Sequence, residues 1–476
     1  MKILLIKPPL NRNTLTPTLS EPLELEYLAS ATRDYNVEIF DMRIDKKLLE
    51  KLEKYRPDLV GITAYTCEAN AARQVLKEVK KFDSRIKTVV GGHHATFLPE
   101  DFIFPFVDII FLGFSDYSFK KYIDTLAEGG EEESVENIVL VKKGKPVFTE
   151  KKHFDLNLDV LPLPARDLTR RYRKHYRDMM RNKTALVLTN RGCPFRCTFC
   201  ACWKLMKGKY SVRKPELVVE EMAGLPEDVD LVCFADDNTL HNVSRAWRFV
   251  ELLEKRKLKK KFTMYARAET IVNHPNLIES LRNIGLEYLT VGIESFRNSD
   301  LDKLNKKSSV SINNEAIRIL QKIGVSISAH LIVNPNYDKS DFNQLYKYVC
   351  QMSLFRLAFT VLTPLPGTDL YIENHDRFVI TDTDYFDFAH SIFSTKLSRK
   401  DFYNELANLY RKCYSLTRYL QTRFKNFGLF QKKQEDALIS NLDRISLSKI
   451  MLINIFGIPL YYKVKNIYKT EPLISS

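Results

Sequence analysis

The chain has 476 residues, enough for two or three domains at about 100–200 residues each. Hydrophobic residues make up 45% and charged residues 28%, a balance that excludes a disordered chain and a membrane-spanning bundle. The net charge of +14 invites a nucleic-acid reading, but the densest basic runs, Thr169–Arg177 and Glu254–Lys261, belong to no nucleic-acid-binding module. Solvated helix faces are expected there, and no nucleic acid is expected as a partner.

Residues 1–128 alternate short apolar strands with amphipathic helical stretches, the pattern of an open parallel α/β sheet. The strands are expected at Ile3–Ile6, Val37–Asp41, Leu59–Thr63, Thr88–Val90 and Ile109–Leu112. A helix is expected over Ala72–Phe82, where Val75, Leu76 and Val79 share one face. Such a Rossmann-like domain binds ligands outside the carboxyl ends of its strands, here Pro8-Pro9, Asp41, Thr63–Thr66, Gly91–Thr96 and Gly113. The first strand-like run, Lys2–Lys7, has no charged leader or apolar export segment before it, so a cytoplasmic protein is expected. Eight cysteines, three of them clustered, fit a reducing compartment and metal binding better than a disulfide framework.

A connector is expected over 129–183, with an acidic patch at Glu131–Glu133, a hairpin around Gly144, and an extended Leu161-Pro-Leu-Pro164. Over 184–380 the strand-helix alternation resumes at Ala185–Thr189, Leu231–Ala235, Phe262–Ala266, Tyr288–Ile293, Ser326–Val333 and Leu357–Leu362. Six such units predict a partial (β/α)6 barrel, whose chemistry belongs on the loops after the strands. Residues 381–476 read as a helical C-terminal region, with Leu406, Leu409, Tyr410 and Cys413 at helical intervals. Its apolar segment Met451–Tyr462 is interrupted by Gly457 and Pro459 and is too short for a bilayer-spanning helix, which needs about 20 residues. Packing against the barrel is expected of it, with shallow membrane contact as the alternative.

The first barrel strand runs directly into Arg191-Gly-Cys-Pro-Phe-Arg-Cys-Thr-Phe-Cys200. Three thiolates, Cys193, Cys197 and Cys200, can hold three irons of a four-iron cluster and leave the fourth iron to a small molecule. Zinc would need a fourth ligand, for which Cys202 is the near candidate. The CxxxCxxC spacing, with glycine before the first cysteine and an aromatic before the last, resembles the signature of radical S-adenosylmethionine (SAM) enzymes. That resemblance implies a [4Fe-4S] cluster on Cys193, Cys197 and Cys200, SAM on the open iron, and an electron donor such as flavodoxin or ferredoxin. It also implies SAM contacts. Phe199 would lie near the adenine, and Asp236, or its neighbour Asp237, would accept from the ligand ammonium, with a helix cap as the competing use. Arg267 would face the methionine carboxylate, against a structural ion pair with Glu269 or Asp236. Glu294 would lie beside the ribose, and Pro366 and Gly367 near the adenine. His330, alone in an apolar strand, reads as structural.

An α/β domain ahead of such a barrel resembles the cobalamin-binding architecture, and implies cobalamin contacts at Thr63, Gly91, Gly92, His93, Thr96 and Gly113. The chain departs from that pattern in two places. The Asp-x-His-x-x-Gly signature that gives cobalt a histidine is absent, the second-strand end reading Asp41-Met-Arg-Ile-Asp45, and Gly113-Phe-Ser-Asp116 stands where relatives carry Gly-Glu-Gly-Glu. Either cobalamin binds without a histidine ligand, the reading adopted here, or the domain has lost the cofactor. To about residue 418, Thr189–Pro194, Val291–Glu294, Pro364–Thr368 and Phe386–His390 resemble the cobalamin-dependent radical methylases of the hopanoid C-3 methylase type. The activity so implied is methylation of an unactivated carbon on a small-molecule or lipid substrate. The alternatives are a cobalamin-linked oxidative cyclisation or rearrangement, and a non-catalytic cobalamin-sensing module. Cofactors carry such chemistry, which agrees with the absence of a Ser/His/Asp or Cys/His constellation.

Overall fold

The computed structural model describes residues 1–10, 18–151, 157–415, 418, 464, 465 and 467. The segment Met451–Tyr462 lies outside the described residues.

Two sheets organise the chain, one parallel throughout and one parallel apart from a hairpin at its edge. The first contains β1 (Lys2–Lys7), β2 (Asn36–Asp41), β3 (Leu59–Thr63), β4 (Lys87–Gly91), β5 (Ile109–Phe111), β6 (Ile138–Lys142) and β7 (Lys145–Phe148), in the order β2-β1-β3-β4-β5-β6-β7. The pairs from β2 to β5 are parallel, and β6 and β7 join antiparallel through the hairpin at Gly144. The sheet therefore continues into residues that the sequence groups with the connector. Leu4, Ile6, Val60 and Ile62 pack on one face against the helix Ala69–Phe82. Ile3, Leu5, Leu59 and Val89 pack on the other against the helices Leu23–Ala31 and Asp116–Glu128. Strands buried on both faces need the nearly continuous apolar runs seen here. The strand order reverses direction beside β1, which opens a crevice at the carboxyl ends of β1 and β3.

The second sheet holds β8 (Thr184–Val187), β11 (Leu231–Phe234), β12 (Phe262–Ala266), β13 (Leu286–Glu294), β14 (Ser326–Val333) and β15 (Arg356–Val361), all parallel. Its order, β15-β14-β13-β12-β11-β8, makes the six-stranded half-barrel the sequence predicts. Two short strands, β9 (Asn190–Arg191) and β10 (Ser211–Val212), pair outside it. The helical C-terminal region is represented by Arg399–Cys413, which buries Phe402, Tyr403, Leu406 and Tyr410 in the barrel core. Tyr410 and Tyr414 finish the open edge of β15. Each hydroxyl accepts a backbone N–H (Phe359 at 3.2 Å, Leu357 at 3.0 Å) and donates to the same residue's carbonyl, at 2.8 and 2.6 Å. An exposed strand edge is thereby satisfied without another strand.

A buried charge network joins the two sheets. Arg166, in the connector, donates to Glu221 at 2.7 Å and Glu21 at 3.3 Å; Glu221 also pairs with Arg213, and Glu21 accepts the Leu186 N–H of β8 at 2.7 Å. Nearby, Glu26 accepts the Thr169 hydroxyl; burial, reinforced by Glu21, pushes its pKa up to about 8.

Glu221→Ala strands Arg166 and Arg213 in the interior and is expected to lower unfolding free energy by about 3–5 kcal/mol, read from urea denaturation. Glu26 holds its proton in the folded chain at pH values where the unfolded chain has released it. Stability should therefore fall as pH rises from about 5 toward 8, by at most about 1.4 kcal/mol per unit. Urea midpoints across that range should show the slope, and Glu26→Gln should flatten it.

Candidate functional site

The cysteine loop is a closed excursion. β9 and β10 pair antiparallel, Arg191 opposite Ser211 and Asn190 opposite Val212, and so pinch together the ends of 192–210. Gly192 turns the chain at φ +88°, where a Cβ would lie 2.3 Å from the Lys209 carbonyl oxygen, so glycine is required. The end of β11 grips this entrance. Asp237 accepts the Gly192 N–H at 2.6 Å, while Asp236 accepts the Thr189 N–H at 2.7 Å, the Thr189 hydroxyl at 2.6 Å and the Asn190 N–H at 3.1 Å. Burial raises the pKa of Asp236 to about 6 against the pull of those bonds. Asn238 brings its side-chain amide to 4.0 Å from the Cys193 sulfur.

Cys197 is buried and Cys193 and Cys200 are half-buried, all three as free thiols. The loop is tied down on every side. Trp203 Nε1 donates to the Cys197 carbonyl at 3.1 Å, Asn305 Nδ2 to the Arg196 carbonyl at 2.7 Å, the Thr198 N–H to Leu304 at 3.1 Å, and the Leu370 N–H to Thr198 at 2.9 Å. Arg267, at the end of β12, lies 3.7 Å over the Phe195 ring and donates to Glu269 at 3.1 Å and to the carbonyls of Lys306 and Lys307. Its guanidinium is thus engaged with the loop and with Glu269, the ion pair that competes with a ligand role. Glu294 takes a left-handed φ of +60° where β13 bulges against β14, and pairs with Lys306 at 2.8 Å. Gly292 makes room for this pair, since a Cβ there would fall 2.1 Å from Glu294 Oε1. Lys306 is a site residue that the sequence hides, because it stands in an ordinary-looking Asn-Lys-Lys run.

Burial raises the thiol pKa of Cys193 and of Cys197, opposed at both by Arg267 and at Cys197 also by Lys306. Cys202 stands within hydrogen-bonding reach of Cys200 and Asp237; the bond to Cys200 raises the Cys202 thiol and lowers that of Cys200. Among the described residues no three His, Cys, Asp or Glu side chains converge as ligands of a single ion would. A four-iron cluster does not ask that of its thiolates, each of which takes a different iron.

Opposite this loop stand the strand ends of the first sheet. Gly92, at φ +104°, brings the turn after β4 against β3, where a Cβ would lie 2.8 Å from the Ala64 carbonyl oxygen and 2.9 Å from Thr63 Oγ1. The Thr96 hydroxyl donates to the Gly92 carbonyl at 2.8 Å and accepts the Gly113 N–H at 3.0 Å. Thr63, Gly91, Gly92, His93, Thr96 and Gly113 are therefore neighbours. The Tyr65 and His93 rings lie 5.7 Å apart, and the His93 ring lies 6.4 Å from that of Phe97. Burial lowers the pKa of His93, while Tyr65 stays half-exposed. Behind Tyr65, Lys7 is buried between Glu68 at 3.2 Å and Glu24 at 3.3 Å, and lies 4.7 Å over the Tyr65 ring. At the end of β2, the buried Asp41 accepts from Arg43 at 2.6 Å and from the Tyr176 hydroxyl at 3.1 Å, so the carboxylate that opens the segment lacking a histidine is committed within the fold.

The halves meet at two further points. Arg191 forms an ion pair with Asp116 and lies 4.6 Å over the Phe114 ring. The Pro366-Gly367 turn rests on Phe97, with Gly367 at φ +84° and a Cβ position 2.2 Å from that ring. A groove of about 690 Å³ runs between the helices Leu23–Ala31 and Asp116–Glu128 and is closed by Val160–Pro162. Two of its lining residues, Tyr27 and Ser118, carry buried hydroxyls with no hydrogen-bond partner among the described residues.

Residues 16–122 match the B12 binding domain, and residues 187–349 the radical SAM superfamily. The chain is similar to the hopanoid C-3 methylase of Methylococcus capsulatus, 26% identical over 406 residues that span 82% of this chain and 77% of the other. It is also similar to the anaerobic magnesium-protoporphyrin IX monomethyl ester cyclase of Rubrivivax gelatinosus, 26% identical over 80% of this chain and 70% of that one. Among solved structures it resembles the cobalamin-dependent S-adenosylmethionine radical enzyme OxsB with aqua-cobalamin and S-adenosylmethionine bound. That match has a TM-score of 0.68 and 16% identity, covering 98% of this chain and 80% of that chain.

Arg267→Lys keeps the charge but loses the planar stack on Phe195 and the paired bonds to the 306–307 carbonyls. A loss of about 1–2 kcal/mol should open the loop more often and speed alkylation of Cys193, Cys197 and Cys200 in the metal-free protein roughly ten-fold, measured by mass spectrometry.

Proposed function

We propose that this chain, which joins a B12-binding domain to a radical SAM domain, is a cobalamin-dependent methyltransferase acting on an unactivated carbon of a small-molecule substrate. One observation carries the reading: the cysteine loop is built directly against the strand ends of the B12-binding domain, Arg191 at its entrance pairing with Asp116, and Gly367 resting on Phe97, whose ring lies 6.4 Å from that of His93. Methyl transfer between two cofactors requires such an arrangement, because the substrate carbon must meet both without leaving. The likeness to the hopanoid C-3 methylase along 82% of this chain supports the same conclusion.

The residues suit the groups they would hold. Cys193, Cys197 and Cys200 are unpaired thiols on one tethered loop, and would ligate three irons of a [4Fe-4S] cluster. SAM would complete the fourth, with Phe199, Glu294, Pro366 and Gly367 around it. Arg267 and Asp236 serve in this reading as positioning residues, since Asp236 is committed to Thr189 at the loop entrance and Arg267, stacked on Phe195, is committed to Glu269 and to the Lys306 carbonyl. Cobalamin would rest on Thr63, Gly91, Gly92, His93, Thr96 and Gly113 and reach into the groove, where the Tyr27 and Ser118 hydroxyls lack partners. It would be held without a histidine from 41–45, where Arg43 is committed to Asp41. When bound, the cluster with SAM supplies the radical chemistry and cobalamin the methyl group. The chain orients the substrate between them and excludes water, a task suited to a cleft pinned by Arg191–Asp116 and by Gly367 on Phe97.

The cytoplasm, and a donor such as flavodoxin or ferredoxin, would supply the electrons. Among the described residues no helix is long and apolar enough to cross a membrane. The likeness to the Rubrivivax cyclase sustains a second reading, oxidative cyclisation on the same cofactors.

Anaerobic reconstitution with iron, sulfide and cobalamin should give both iron-sulfur and corrinoid absorbance, and reductant with SAM should yield 5′-deoxyadenosine. Replacing Cys193, Cys197 and Cys200 together by alanine should abolish the iron-sulfur absorbance and the 5′-deoxyadenosine while corrinoid binding persists. A product heavier by one CH2 supports methylation; one that has lost hydrogens without gaining carbon would instead establish the cyclase reading.

A further inference from the structure

The half-barrel has two faces, and only one is filled. On the outer face Val232, Met264, Leu289, Ala329 and Leu357 pack into the core beneath the helices. The alternate positions point the other way and are polar: Cys233, Tyr265, Tyr288, Ser328, His330 and Arg356. Tyr265 is exposed and the others are half-buried, whereas a closed barrel fills its interior with layers of bulky branched side chains. The inner face is therefore a lined space rather than a core.

Arg356 lies along the floor of that space. It opens β15, yet its guanidinium carbon sits 4.0 Å from the centre of the Tyr288 ring on β13, so the side chain crosses β14, which runs between them. The face of the guanidinium is taken by the ring; its N–H donors are not. Arg356 forms no hydrogen bond or ion pair among the described residues. Asp178, in the turn leading into β8, is held by the Met180 N–H at 2.9 Å, the Asn182 N–H at 2.8 Å and the Asn182 amide at 2.9 Å. Glu294, on the inner face, is paired with Lys306. A guanidinium enclosed without an anion of its own is matched to one brought by a ligand, which its planar fork holds by two parallel bonds.

A polar track rises from this floor toward the cysteine loop. Ser328 neighbours Arg356 in the ladder, and His330, two residues further along β14, neighbours Gly292. His330 reads as structural from sequence alone, yet neither its ring nor the Ser328 hydroxyl has a hydrogen bond among the described residues, and neither is sealed from the space. Beyond Gly292 comes the Glu294–Lys306 pair, and the Lys306 carbonyl accepts from Arg267, stacked on Phe195 of the loop. From Arg356 to the end of the six-residue β15 the strand climbs about 16 Å at about 3.3 Å per residue.

We infer that this inner face holds the substrate of the proposed methyltransferase, and that Arg356 selects an elongated molecule ending in a carboxylate or phosphate. The inference rests on the reading of the preceding section. Arg356 grips the anion, Tyr288 fixes the plane of the guanidinium, and Ser328 and His330 offer hydrogen bonds along the body. The carbon to be methylated lies at the far end, beside the cysteine loop. A terminal ammonium would be repelled by the arginine.

Four matched probes, 8-phenyloctanoate, 8-phenyloctyl phosphate, 8-phenyloctanol and 8-phenyloctylamine, test this by ligand-observed NMR on the full chain reconstituted with cluster, cobalamin and SAM. At least one anion should bind saturably and roughly ten-fold more tightly than the alcohol, the amine being weakest, and the tighter anion identifies the group recognised. Arg356→Gln should erase that advantage and leave the alcohol within about two-fold. Arg356→Lys, which keeps the charge but loses the fork and the stack, should retain part of it. Ser328→Trp should fill the space and weaken every probe roughly ten-fold. The exposed change Arg248→Gln should leave all four unaltered, which separates the site from general attraction to a chain of net charge +14. Circular dichroism checks the folding of each variant, and the comparison of anion with alcohol on the wild-type chain needs none of them. Equal binding of anions and alcohol, anion binding indifferent to Arg356→Gln, or an equal loss in Arg248→Gln overturns the inference. Formation of 5′-deoxyadenosine by the same wild-type sample separates the two levels. If it forms while the probes show no charge preference, the inference alone falls; if it does not form, the methyltransferase reading falls and takes the inference with it.

Discussion

Two parallel sheets in this chain turn their carboxyl edges toward one another, and the rest of the structure depends on keeping them there. Loops at a strand's carboxyl end are free to vary, but a cleft between two such sets of loops needs both sheets fixed in position and angle. Buried charge does this. Arg166 bridges Glu21 and Glu221, Arg213 completes the group, and Arg191 reaches Asp116 from a position two residues before the first cysteine of the loop. Buried ion pairs are poor sources of net stability, yet each is demanding about geometry, because a partner displaced by an ångström leaves an uncompensated charge inside the protein. Here they serve registration. An apolar interface of the same area would allow the sheets to slide.

Within that frame the cysteine loop is held by many weak ties rather than one strong one. Its backbone bonds reach residues that follow β11, β13 and β15, and its Phe195 lies beneath an arginine from the end of β12. A loop whose job is to present three thiols at fixed spacing cannot also be an independent folding unit, so its order comes from the barrel. The glycines at 192, 292 and 367 mark where this crowding is tightest, since a Cβ at each would strike backbone, a buried ion pair or the Phe97 ring.

Much of this was legible in the residues. Each strand of both parallel sheets is an apolar run between turn signals, and the parallel alternation follows because a strand covered on both faces cannot afford polar alternation. The cysteine spacing and the Gly91-Gly92 turn were readable because each imposes a local chemical demand that few other sequences meet. Asp236 and Arg267 lie beside the cysteine loop, and what their side chains hold there is not written in the sequence. Their partners, Thr189, Asn190 and the carbonyls at 306 and 307, are remote in the chain and carry no motif. Lys306, Lys7 and Glu68 were invisible for the same reason, because a buried lysine looks like a surface lysine until the fold encloses it.

The sequence by itself therefore determined the element types, their order and the presence of a three-thiol loop, all of which rest on local periodicity and spacing. Only the tertiary structure decided which charges face each other, which polar atoms are already engaged in holding the backbone, and that the loops of the two sheets meet, at Arg191 with Asp116 and at Gly367 on Phe97. Those are matters of long-range juxtaposition, where side chains more than a hundred residues apart compete for the same partner, and no pattern along the chain records the outcome of that competition.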